Sequence, residues 1–328
     1  FNTKLYTGDG ATTLAVSGVG FSPGMTWIKN RSAADNHTLV DSVRGATKYL
    51  VPNDTDAEVD DSTFVASLDS DGFTVGDDVV VNTSTENYAS WNWLAGGTAV
   101  SNTDGSITSS VSANPTAGFS IVSWTGDTTD ATIGHGLSAA PEFITIKSRE
   151  GTPGSWNWPS YSKPTGTGGY INLDTSGHWA TNATFYGAAP TASVFNPGSH
   201  SYVSGAFDFV AYCFHSVEGY SKVGSYEGNY DADGPFVYTG FKPAYVLIKV
   251  TNTADNWVIH DSARGPYNAN EPELRPNTND AEAASSDTAV DFLSNGFKLR
   301  NSDTGYNRSY NYIYYAVAES PFKTSNAR

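Results

Sequence analysis

"MTWIKNR" at residues 25–31 returns as "FITIKSR" at 143–149 and as "YVLIKVT" at 245–251, each run carrying Ile-Lys, at Lys29, Lys147 and Lys249. Counted from these lysines, an aromatic residue stands 23 positions earlier every time, at Tyr6, Trp124 and Tyr226, and a proline six positions earlier, at Pro23, Pro141 and Pro243. Downstream, aromatic runs begin 59, 62 and 63 positions later, in "YASWNW" from Tyr88, "FVAYCF" from Phe209 and "YIYYAV" from Tyr312. Four landmarks in one order, three times over, mark an internal repeat. In "AYVLIKV", Ala244, Val246, Ile248 and Val250 point one way and Tyr245, Leu247 and Lys249 the other, so both faces are largely apolar. Such a run fits a central β-strand covered on both sides.

The repeat divides the 328 residues into unit 1 at 1–97, a Ser-, Thr- and Asn-rich linker at 98–117, unit 2 at 118–219, and unit 3 with a C-terminal tail at 220–328. The short junction "HSVEGYSKVG" predicts that units 2 and 3 pack more rigidly on each other than on unit 1. Within a unit, strand-like runs alternate with turn signals such as "SPG", "SDGF", "SNGF" and "DADG", and no amphipathic helix stands out. The predicted fold is all-β, three tandem β-sandwich units of jelly-roll or lectin-like kind.

Composition agrees: there are 32 Gly, a single Met, and charged residues make up only 16%. That mixture favours short strands and tight loops over helices. The net charge of −16 argues against nucleic acid and anionic membranes, whose binding needs presented Lys and Arg. One cysteine, Cys213, excludes an intrachain disulfide and a multi-Cys metal site, and its apolar surroundings "FVAYCF" suit a buried thiol. No apolar stretch approaches the ~18 residues of a membrane span, so no membrane insertion is expected. The chain opens at Phe1 inside the strand-like "FNTKLYTG", which points to a piece of a longer protein.

"DSVRG" at 41–45 and "DSARG" at 261–265 are candidates for a duplicated reaction centre or a structural brace. Asp41 and Asp261 each follow the repeat lysine by twelve residues. A hairpin with its midpoint at Asp35 or Asp255 would set Lys29 opposite Asp41 and Lys249 opposite Asp261, within about 5 Å, as structural ion pairs. If exposed, such a pair contributes about 0–1 kcal/mol. Arg44 and Arg264 would then leave the strand at the turn closed by Gly45 and Gly265. Ser42 and Ser262 lack a base at a matched offset, since His37 precedes its Asp by four residues and His260 by one, so no catalytic residue is assigned. In unit 2, allowing one extra turn residue, Trp156 and Trp158 align with Trp257 and Ile259, and Ser160 replaces the Asp.

"NDTDAEVDD" and "NYDADGPF" lack the full calcium-loop pattern and read as solvated turns, so neither metal nor cofactor is expected. Aromatics form 13% of the chain. Those at repeated landmarks are assigned to cores, and the loop aromatics Trp179 and Tyr186 in "GHWATNATFYGAAP" are the candidate ligand-binding residues.

The runs "FSIVSWTGDTTDATIGHGL", "PEFITIKSR", "VAYCFHSVEGYSKVGSYEGN", "DGPFVYTGFKPAYVLIK", "DSARGPYN", "DFLSNGFKLR" and "AVAESPFKTSNAR", with "GVGFSPGMTWIKNRS" and "DSVRGATKYL" in unit 1, together resemble a repeat-containing domain of tail-fibre and other virion proteins of marine bacteriophages. The resemblance covers nearly the whole chain. It implies a non-catalytic virion structural protein on the exposed particle surface, a tail-fibre or adhesin segment that touches the host and binds a surface glycan. It also implies assembly with other virion proteins and a homotrimer, which would bury aromatics that have no place in a single unit. A capsid decoration component and a polysaccharide-degrading enzyme are the alternatives, the latter needing two convergent carboxylates in a cleft.

Overall fold

The computed structural model describes residues 1–151 and 156–320; residues 321–328, the end of the expected tail, lie outside the described residues. The chain is all-β and folds as three antiparallel sandwich units. Each is built on the same four-stranded sheet. In unit 1 the order is Asn2–Thr7, Asn87–Trp93, Met25–Asn30 and Thr38–Asp41. Unit 2 repeats it with Phe119–Thr125, Asp208–Phe214, Phe143–Ser148 and Pro159–Ser162. Unit 3 repeats it with Ser221–Glu227, Asn311–Ala318, Pro243–Val250 and Val258–Asp261.

The landmarks now have partners. The aromatic residue upstream of each lysine lies opposite the first residues of the aromatic run, as Tyr6 against Tyr88, Trp124 against Phe209 and Tyr226 against Tyr312. All three pairs stack, with centroids 4.9, 5.4 and 4.9 Å apart. Cross-strand aromatic pairs of this kind pin sheet register.

Strand alternation sends side chains to two different cores. Ile28, Val40 and Tyr88 face outward in unit 1, against Val16, Val65, Phe73 and Val75 of a second, three-stranded sheet. Val246, Ile248 and Tyr312 do the same in unit 3 against Val237, Val290, Phe297 and Leu299. Unit 2 covers Ile144, Ile146 and Phe209 with Ile133, Phe195, the loop residues Phe185 and Tyr186, and Val203 of the short helix Ser201–Ser204.

The inner faces of the three sheets meet in one shared core, with Met25, Trp91 and Trp93 from unit 1, Tyr212 and Phe214 from unit 2, and Tyr245, Leu247 and Tyr315 from unit 3 among its members. Phe214 touches Trp93 at 6.1 Å and Tyr315 at 4.8 Å between centroids. An apolar cavity of only about 30 Å³ remains at the centre, too small and too apolar for more than a single water. The aromatics left over by the single-unit reading are therefore buried within one chain, and a homotrimer is not required to cover them.

Two expectations change. Residues 98–117 supply two strands rather than a linker, Val100–Asn102 and Ser109–Asn114, which extend the unit 2 sheet beyond Phe119–Thr125. Unit 1 packs into the shared core as fully as the other two, because its inner face carries three tryptophans, Trp27, Trp91 and Trp93, which need cover.

Trp93→Ala removes a ring that touches residues of all three units or their neighbours in the shared core. We expect it to lower the stability of the whole chain by about 3–5 kcal/mol, with one cooperative transition in urea followed by both circular dichroism and tryptophan fluorescence.

Candidate functional site

Among the described residues, the three boundaries between units carry most of the buried charge, and each is built by the same positions of the repeat. Lys29, Lys147 and Lys249 are fully buried at the ends of their strands. Neither Lys29 nor Lys249 pairs with the Asp expected to face it. Lys29 Nζ donates to the carbonyls of Asn30 and Ala33, at 2.6 and 3.1 Å. Lys147 donates to Trp156 O at 2.5 Å and, across the boundary, to Thr55 O of unit 1 at 2.7 Å. Lys249 donates to Asp255 O and, across the boundary, to Ser176 O of unit 2.

The hairpin register explains the miss. Met25 pairs with Asp41 and Trp27 with Leu39; Tyr245 pairs with Asp261 and Leu247 with Ile259. The expected register would have set Trp27 and Leu247 opposite Val43 and Ala263, which lie in the turns. Keeping Leu39 and Ile259 in the shared core decides the pairing. In unit 2 Phe143 pairs with Ser162. Ser162, not Ser160, therefore stands where the other units have Asp, and Trp158, not Trp156, matches Trp257; the position in unit 1 is His37.

These three side chains form a cyclic set of cross-boundary bonds. His37 Nε2 donates to Arg275 O, Trp158 Nε1 to Val51 O and Asp54 O, and Trp257 Nε1 to Asn172 O. Unit 1 thus grips unit 3, unit 2 grips unit 1, and unit 3 grips unit 2. His37 Nδ1 accepts from Trp27 Nε1 at 2.8 Å. Burial, with the Lys29 charge beside it, pushes His37 down to about 3, so the ring is neutral.

The repeated pentapeptides form the second ring of contacts. Asp41 Oδ1 accepts the amides of Val43 and Arg44, and its Oδ2 accepts from Arg44 Nε at 2.6 Å and from the Tyr212 hydroxyl of unit 2 at 2.7 Å. Arg44 Nη1 reaches Glu58 Oε2 at 3.0 Å, and Glu58 is held bidentate by Arg149 of unit 2, both contacts at 2.8 Å. Burial alone would raise the Glu58 carboxyl, but the guanidinium groups of Arg149 and Arg44 outweigh it and hold it below the usual carboxylate range.

The boundary between units 1 and 3 repeats the arrangement. Asp261 binds Arg264 Nε at 2.5 Å and Trp91 Nε1 of unit 1 at 3.0 Å. Arg264 Nη1 meets Glu282, which is bidentate to Arg31 of unit 1 at 2.9 and 2.7 Å. The predicted turn role of Arg44 and Arg264 is only part of what they do. Both guanidinium groups are buried at an inter-unit junction.

Among the described residues, no nucleophile assembles around these groups. Both Asp41 oxygens are engaged, His37 is committed to Trp27 and Arg275, and His260 to Tyr306 and Asn270. Cys213 is buried, and burial pushes its thiol well up.

The boundary between units 3 and 2 differs. Its backbone match is Trp179 N donating to Thr251 O at 3.0 Å, the counterpart of Glu58 N to Arg149 O and Glu282 N to Arg31 O. Ser162, Thr165, Trp179 and Thr251 thus occupy the places of Asp, Arg, Glu and Arg. Ser162 Oγ and Trp179 Nε1 are buried without a hydrogen-bond partner. Beside these positions lies a cleft of about 500 Å³, with Trp179, Thr251, Asn252 and Asn311 in its wall.

Of the two ligand candidates, Trp179 lies on this cleft, partly exposed. Tyr186 does not: it is wholly buried, its hydroxyl donating to Pro159 O, because the loop it sits on serves as the outer layer of unit 2. Among the described residues, the aromatics most open to solvent are Tyr267, 83% exposed, and Tyr238, 60% exposed. Their "GPYN" and "FVYTG" contexts, flanked by turn residues, were the signal.

A family model described as a domain of unknown function, DUF7483, matches residues 1–321. No curated protein and no solved structure matches the chain.

Two measurements follow from the boundary chemistry. Asp261→Ala leaves Arg264 buried without its nearest counter-charge, so urea denaturation should show a loss of about 3–5 kcal/mol, well above that for an exposed pair. Burial pushes Lys29, Lys147 and Lys249 down to about 8. Between pH 8 and 10 the unfolded chain holds protons that these folded lysines have released, so their contribution to stability should rise with pH across that window. NMR titration of the lysine ¹³Cε resonances should show three that titrate near pH 8, and none if the lysines are hydrated.

Proposed function

We propose that this chain, which belongs to the DUF7483 family, is a non-catalytic structural segment of a virion protein, in a bacteriophage tail fibre or adhesin displayed on the particle surface, where it contacts the host. The observation that carries this proposal is the use made of the reactive side chains: Asp41, Arg44, Lys147, Asp261, Arg264 and Lys249 are buried and committed to holding one unit on another. Such a body is braced at each boundary and suits a load-bearing, exposed module. The resemblance of its long motifs to those of phage virion proteins supports the same role, as does the acidic composition, which would keep an exposed particle protein soluble. Its partners are then neighbouring virion proteins and a host-surface glycan.

Antibodies against the purified chain, applied with gold label to particles whose genome encodes it, should decorate the tail appendages. The purified chain should also slow adsorption of those particles to their host. Label confined to the capsid would place the protein among head decorations, unlabelled particles would remove it from the virion, and release of reducing sugar from host polysaccharide would overturn the non-catalytic role.

A further inference from the structure

We propose that the cleft between units 3 and 2 is a binding groove for a neutral oligosaccharide, with the Trp179 indole as its stacking wall. This rests on the host-contact role above and assigns it a place. The first support is internal comparison. At the other two boundaries the equivalent positions hold the ion pairs of Glu58 with Arg149 and Glu282 with Arg31, and the cleft beside Arg149, walled by the matching Ser123, Trp124, Thr125 and Asp208, is smaller, about 380 Å³. Here Trp179 and Thr251 stand in those positions and about 500 Å³ stays open, within the roughly 300–1,000 Å³ common for ligand sites. One boundary of three has exchanged a charged clamp for an aromatic wall.

The second support is how Trp179 is held. Its ring lies over Gly169, where an added Cβ would sit 2.4 Å from Cζ2. Its amide is tied to Thr251 O of the neighbouring unit. The indole is therefore positioned before any ligand arrives, which lowers the ordering cost of binding.

The third support is the chemistry of the lining. Beside Trp179 stand Thr165, Ser225, Glu227, Asn252 and Asn311, and among the described residues no Lys or Arg lines the cleft. Hydroxyl, amide and carboxylate groups match the vicinal hydroxyls of a sugar, whose C–H face packs on an aromatic ring. The lack of a cation disfavours phosphate, sulfate and acidic sugars.

The intact chain should be titrated, by saturation-transfer NMR and calorimetry, with neutral hexose and N-acetylhexosamine oligosaccharides of about two to four residues, and with a lysine-rich peptide. Binding of at least one saccharide is expected, lost by about tenfold or more in Trp179→Ala and retained in Trp179→Phe. Thr251→Arg serves as the second variant. The added side chain can extend into the open cleft, whose wall includes the Glu227 carboxylate, so its charge stays hydrated and the fold should keep its melting temperature while the groove is occupied and binding is lost.

Saccharide binding that survives both Trp179→Ala and Thr251→Arg would overturn the site. Binding of the peptide alone would overturn the ligand class. If the purified chain still blocks particle adsorption but binds no saccharide, this inference fails and the host-contact role stands. Binding that depends on Trp179, in a chain absent from labelled particles, reverses that outcome.

Discussion

Each repeat unit presents a sheet that is apolar on both faces, and its own small second layer can cover only one of them. The uncovered inner faces carry Trp27, Trp91 and Trp93 in unit 1, Phe143, Tyr212 and Phe214 in unit 2, and Tyr245, Leu247 and Tyr315 in unit 3. Large aromatic surfaces of this kind are costly to leave in water. Turning the three faces toward one another removes all of them at once, and everything else at the boundaries follows. Strand ends brought under that cover lose water, so their carbonyls and charged side chains need protein partners. Buried lysines on backbone carbonyls, indoles on carbonyls and Arg–carboxylate chains meet that need in turn.

A cyclic arrangement within one chain differs from a homotrimer in a way that matters for function. In a symmetric trimer one codon sets three identical interfaces. Here each boundary has its own residues and can diverge alone. The boundaries of unit 1 with units 2 and 3 have kept the charged chain, and the boundary between units 3 and 2 has not.

The repeat, the all-β class and the double-faced central strand were legible in the sequence, because they depend on local periodicity and on landmarks at constant spacing. Partners across boundaries were not. The Lys–Asp pairing failed because hairpin register is set by which apolar residues must enter the shared core, Leu39 and Ile259, and that core has no signature within a single unit. Residues 98–117 read as a linker since Ser and Thr dominate them, yet an added edge hairpin needs few large apolar residues. Tyr186 was taken as a loop ligand because nothing in its neighbourhood reveals that the loop replaces a missing sheet layer. Trp179 stands out for its loop setting, but most of its cleft is built by residues more than 40 positions downstream, such as Asn252 and Asn311.

Which contacts survive in all three boundaries, and which only in two, has a physical order. The lysines are bonded to backbone carbonyls, acceptors that no substitution removes, so losing a lysine would strand them. All three remain. The Arg–Glu–Arg chains satisfy only one another and the Asp that starts them. Removing one member leaves an uncompensated buried charge, whereas removing the whole set can be close to neutral. Intermediate states should therefore be rare and loss should be concerted. The divergent boundary fits: Ser162, Thr165, Trp179 and Thr251 are all uncharged, and no single arginine or carboxylate of the chain is left behind there. Without that set, the boundary is lined by backbone and mostly uncharged side chains, with the Glu227 carboxylate in the cleft wall, a condition under which an indole can settle on Gly169 and an open cleft can persist beside it.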